Sequence, residues 1–76
     1  MDWQARITLD PDILGGKPTV RGTRLSVEFL LELMAGGLSE GEILGGYPQL
    51  AREDLQACLA YAAFALKSEK IYPIPA

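Results

Sequence analysis

The sequence predicts a mainly α-helical fold, a three-helix unit behind a short N-terminal β-ribbon, in a chain that works as a dimer. Three observations predict it. Ser26 and Ser39 each precede an acidic, then apolar, stretch, and Gly36-Gly37 and Gly45-Gly46 follow as stops. Upstream, short alternating pieces are broken by Asp10-Pro11 and Gly15-Gly16. Finally, 49% of only 76 residues are hydrophobic. A domain of this length buries only about 60% of the surface its unfolded chain exposes, so its stability is marginal unless association adds to it.

The elements follow in order. Arg6-Ile7-Thr8-Leu9 alternates polar and apolar residues, and Asp10-Pro11-Asp12 stops it, because the residue before proline is pushed out of helical space. Gly15-Gly16-Lys17-Pro18 is a second turn, with two glycines free to take positive φ. Thr19-Val20 and Thr23-Arg24-Leu25 are further strand-like pieces around Gly22. Two such strands are unstable in isolation, so the ribbon over residues 1–25 either pairs with a partner's copy or packs on the helices. Residues 26–67 form the three-helix unit. Ser26 caps the first helix, whose only polar positions are Glu28 and Glu32, one turn apart on a narrow wet face. Ser39-Glu40-Gly41-Glu42 is a capping box that opens a short second helix. Tyr47-Pro48-Gln49-Leu50 turns the chain, and the third helix starts near Arg52, with Glu53 and Asp54 in its first turn, and runs to about Lys67. Residues 68–76 read as an extended tail, in which Ile71-Tyr72-Pro73-Ile74-Pro75 alternates apolar residues with prolines.

The third helix carries the expectation of a dimer. Leu55, Cys58, Leu59, Ala62 and Leu66 share one apolar face, and Ala57, Tyr61, Phe64 and Ala65 make a second. A helix apolar on all sides is buried on all sides, yet this chain supplies only two other helices to cover it. Leaving such a face wet would forfeit several kcal/mol at about 25 cal/mol per Å². Ala57, Tyr61, Phe64 and Ala65 are therefore the candidate oligomer interface. The alternative is one compact core that swallows the helix.

Composition excludes several function classes. The chain has no histidine and one cysteine, Cys58, so neither a zinc site nor a disulfide is expected, and no cofactor is implied. The lone cysteine and an N-terminus without an apolar core point to a reducing, cytoplasmic setting. The longest apolar run, Ala57 to Leu66, is ten residues, half of the ~20 a bilayer span needs. No nucleophile and base can be paired, so an enzyme is not expected. Gly-Gly-Lys-Pro-Thr does not make a phosphate loop, because Pro18 follows the lysine where serine or threonine belongs.

Net charge is −3, but unevenly spread. Residues 1–24 carry four cations against three acids, a net of +1, and residues 25–76 carry three cations against seven acids, a net of −4. Residues 39–66 have the outline of a helix-turn-helix DNA reader. Glu53 and Asp54 at the start of its second helix would face phosphates, and no run of Arg, Asn or Gln follows to read bases. Candidate DNA contacts are instead Arg6, Lys17, Arg21 and Arg24, which a paired ribbon would double. Their competing role is to pair with Asp10, Asp12 or backbone carbonyls and hold the loops in shape.

Taken together, Ile7 with Asp10-Pro11 and Ile13, Gly16-Lys17-Pro18, Arg21-Gly22-Thr23-Arg24 with Val27, Gly37-Leu38-Ser39 before Glu42-Ile43-Leu44, Tyr47-Pro48-Gln49-Leu50, and Asp54-Leu55 leading to Ala57, Leu59 and Tyr61 resemble the bacterial domain-of-unknown-function family 433 over about four-fifths of the chain. The resemblance implies a homeodomain-like helix-turn-helix unit. It also implies an antitoxin-like protein that binds a PIN-like ribonuclease toxin and, as a dimer, its own promoter DNA. No catalytic residues carry over. Ala51 departs from the threonine or serine usual before the third helix, which should weaken that cap by around 1 kcal/mol. Ile71, Tyr72 and Ile74 are the candidate toxin contact, since an extended apolar segment can dock in a groove or on a sheet edge. A frayed terminus is the alternative for that tail. The rival functions are a stand-alone dimeric DNA-binding regulator and a purely structural oligomerisation module.

Overall fold

The computed structural model of the chain describes residues 2–67. A turn of 3-10 helix at Trp3–Ala5 leads into strand β1 (Ile7–Thr8). The chain passes a tight turn at Leu14–Gly16 and returns as β2 (Thr19–Val20), antiparallel to β1 with Ile7 opposite Val20 and Thr8 opposite Thr19. Three helices follow: α1 (Val27–Ala35), α2 (Glu40–Gly46) and α3 (Arg52–Lys67). The expected mainly helical architecture, with three helices and a small two-stranded sheet, is the observed one.

The sequence signals for helix ends work as their chemistry requires. Ser26 Oγ accepts the Phe29 N–H at 3.0 Å and starts α1. At the other end, the Leu38 N–H reaches back to the Leu33 carbonyl and the Gly37 N–H to that of Met34. This reciprocal pair requires the residue between to be left-handed, and Gly37 supplies φ +96° without a Cβ penalty. α2 opens with both halves of the Ser39–Glu42 capping box, at 3.1 and 2.9 Å. Gly15 and Gly16, at φ +65° and +87°, take the turn through left-handed space, as the pair in the sequence predicts.

The ribbon packs on the helices of its own chain. Ile7 and Val20 from the strands join Val27 and Leu30 of α1, Ile43 of α2, Leu50, and Leu55, Ala57 and Cys58 of α3 in one core. α3 is its spine, touching the Trp3–Ala5 turn, β1, α1 and α2. Trp3 closes the core's edge against the Tyr61 ring at 4.9 Å, edge to face, and the Phe64 ring at 5.2 Å.

One compact core that swallows α3, the alternative weighed for the sequence, is not what is observed. Leu55, Ala57 and Cys58 are core, but Leu59 is 53% exposed and Leu66 55%. Leu59, one turn on from Leu55, and Leu66 thus lie where the chain's own cover of that face ends. The reason is geometric: two helices and a two-stranded ribbon cover only one side of a 16-residue helix. Thr19 is also wholly buried, and its hydroxyl has no hydrogen-bond partner among the described residues. Thr19→Val, which removes an unsatisfied polar atom at nearly constant volume, should raise stability by about 1 kcal/mol in urea unfolding.

Candidate functional site

Two surface features gather the residues singled out in the sequence. The first is a polar cleft of about 330 Å³ beside β1, lined by Ala5, Arg6, Arg21 and Asp54. Asp54 is its hub. From the first turn of α3 its Oδ2 accepts the Ala51 N–H at 2.8 Å, and its Oδ1 accepts the Arg6 guanidinium at 2.9 Å. One buried carboxylate thus caps α3 and ties β1 to it. Ala51 has no side chain to cap with, so half of a capping box is supplied in reverse, from within the helix. Sequence reading took Asp54 for a dipole partner and missed this role; the signal was an Asp three residues into a helix with a non-capping N-cap.

Arg21 is committed too. Its Nε donates to the Ala5 carbonyl and its Nη2 to that of Gln4, each at 3.2 Å, fastening the Trp3–Ala5 turn to the end of β2. Within the same motif the Thr23 hydroxyl donates to the Val20 carbonyl at 2.8 Å and accepts the Leu25 N–H at 3.0 Å. Of the four candidate DNA-binding cations, Arg6 and Arg21 therefore hold the fold's shape. Arg6 does so through Asp54 and not through Asp10 or Asp12. Lys17 and Arg24 are exposed, and their side chains make no hydrogen bond or ion pair among the described residues. Arg52 pairs with Glu40 of α2 at 2.9 Å, a surface contact worth at most about 1 kcal/mol.

The second feature is an open apolar groove of about 550 Å³ between α1 and α3. α1 contributes Val27, Leu31 and Ala35, and α3 contributes Tyr61, Ala62, Ala65 and Leu66. Pro18 closes one side, and Glu28 and Glu32 form an acidic rim. The narrow wet face expected on α1 is thus the edge of a binding-sized trough. Of the candidate oligomer residues, Tyr61 and Ala65 line this groove. Phe64 lies against Trp3 with about half its surface exposed. Ala57 does not belong with them: it is wholly buried against the chain's own core and presents nothing to a partner. The candidate toxin contacts Ile71, Tyr72 and Ile74 lie outside the described residues.

Among the described residues no group of His, Cys, Asp or Glu could hold a metal ion, and no helix is long and apolar enough to cross a membrane. Cys58 sits in the core, where burial, and secondarily the Asp54 carboxylate, push its thiol up to about 11 from 9.0. A thiol kept neutral in the folded state contributes stability that is complete below pH 9 and is lost as pH rises toward 11, because the unfolded chain ionises first. Stability should fall by up to about 1.4 kcal/mol per pH unit across that window through this group. Urea melts of the parent and of Cys58→Ala at stepped pH check it: the alkaline slope should be shallower in the variant.

The geometry can be set beside known proteins. The model of a family described as a protein of unknown function, DUF433, matches residues 7–62. An uncharacterized protein of Sinorhizobium fredii, y4eO, is 41% identical over 56 residues, 74% of this chain and 25% of the relative. The chain thus spans about a quarter of that curated relative's length. A crystal structure of a DUF433 member from Anabaena variabilis superposes with a TM-score of 0.78 at 33% identity, covering 84% of this chain and 63% of that one.

Proposed function

The chain belongs to the DUF433 family, and on that premise we propose that it is an antitoxin-like binding protein, a non-catalytic module whose partner is a PIN-like ribonuclease. The observation that carries this reading is the apolar groove between α1 and α3, continued by leucines that stand more than half exposed on α3. An exposed apolar trough of this kind supports a protein-binding reading. The helix pair α2 and α3, with its five-residue connection over 47–51, is read as the helix-turn-helix of a homeodomain-like unit acting in the cytoplasm. Ile71, Tyr72 and Ile74 remain the proposed toxin contact.

The test pairs the purified chain with a PIN-like ribonuclease from the same genome. Mixed at about 10 µM each, the pair should elute as one complex and the ribonuclease activity should fall. Separate elution with full activity would overturn the reading.

One observation favours a second reading, a DNA-binding regulator. Lys17 and Arg24 are the cations left uncommitted on the ribbon side, while Arg6 and Arg21 are held by the fold. Retention of promoter DNA that weakens with salt and is lost on combining Lys17→Ala with Arg24→Ala would support it.

A further inference from the structure

We propose that the α1–α3 groove is occupied by α3 of a second copy of this chain, forming a two-fold bundle in which each α3 lies between the α1 and α3 of its partner. The proposal rests on the reading of this surface as a protein-binding face, and it names the occupant when no ribonuclease is bound.

Helical spacing places Leu59, Ala63 and Leu66 on one stripe of α3 that points away from the core. Leu66 belongs both to this stripe and to the wall of the groove, so donor ridge and receiving trough are continuous on one helix. A two-fold interface requires this self-complementarity, since the same patch must both offer and receive. Alanines at 62, 63 and 65 leave room for a second helix to come close.

Charge selects the same occupant. Glu28 and Glu32 line the groove on α1, and neither is in an ion pair among the described residues. An apolar helix with a cation at its edge would complement this rim. The α3 stripe ends in Lys67, exposed and likewise outside any ion pair among the described residues. In the two-fold arrangement Lys67 of each copy meets the acidic rim of the other.

Sedimentation velocity on the full chain tests this. The parent, 8.3 kDa per chain, should sediment as a dimer at about 100 µM and dissociate on dilution. Combining Leu59→Glu with Leu66→Glu should give a monomer with an unchanged far-ultraviolet spectrum, because both sites are more than half exposed. Lys67→Glu alone, or Glu28→Lys with Glu32→Lys, should each weaken the dimer about tenfold or more, and the three together should restore it. A parent that stays monomeric at about 100 µM would overturn the proposal and leave the groove to a foreign cationic helix. A dimer indifferent to the leucine pair would place the seam elsewhere and overturn it too. Should the leucine variant fail to fold, the charge exchange decides alone: no rescue means no Lys67–rim contact. The nuclease experiment reads a different complex, so either result can fail without the other.

Discussion

Leu30→Ala should lower stability by about 3 kcal/mol, enough to bring a domain of this size close to its unfolding threshold. Leu30 has no exposed surface and sits on α1 where the strands, α2 and α3 converge. Removing three carbons there loses their transfer energy and leaves a hole that a small, fully shared core has little spare material to fill. In a thermal melt this is a drop of roughly 15 °C for a domain under 100 residues. Leu9→Ala is the control, the same chemistry at a site 53% exposed, and it should cost no more than about 0.5 kcal/mol. Similar losses at the two sites would mean that the core is not where it is placed here.

Asp54→Ala should be the second most damaging change, at about 2 kcal/mol. It removes the acceptor for the Ala51 N–H, worth about 1 kcal/mol as a cap. It also removes a charge-assisted hydrogen bond that joins β1 to α3. The ion-pair share is modest, because the Arg6 side chain keeps 38% of its surface in water and is screened there. Arg6→Ala should therefore cost about half as much, and a double-mutant cycle should return a coupling near 1 kcal/mol. Equal losses for Arg6→Ala and Asp54→Ala would deny the capping role, since only Asp54 serves the helix end. Asp54→Asn should fall between, as an amide oxygen can still accept from Ala51 while its N–H₂ cannot accept from Arg6.

These two sites differ in how visible they are beforehand. Leu30 stands in an apolar stretch between Ser26 and Gly36-Gly37, and its place inside a helix follows from local rules. The role of Asp54 depends on Arg6, which is 48 residues away in the chain, and no periodicity connects them. The Arg21-Gly22-Thr23-Arg24 motif is similar. Its composition drew attention as charge, yet Arg21 and Thr23 spend their donors on nearby carbonyls and only Arg24 faces outward uncommitted. Tyr47-Pro48-Gln49-Leu50 reads as a turn, and it is one, but it also sends Tyr47 against Phe29 at 5.8 Å and Leu50 into the core.

The sequence by itself determined the three helices, their caps and stops, the ribbon's turns, the family, and the excess of apolar surface. All of these are set by neighbours within a few residues or by composition, where capping, glycine φ and side-chain spacing act directly. Only the tertiary structure decided which side of α3 is left in water. It placed Ala57 in the core, Leu59 and Leu66 outside, and Tyr61 and Ala65 along a groove with Glu28 and Glu32 at its edge. A helix that is apolar all round has no preferred face in its own sequence. The face is chosen by what packs against it, and here the ribbon and α1 together cover one side only.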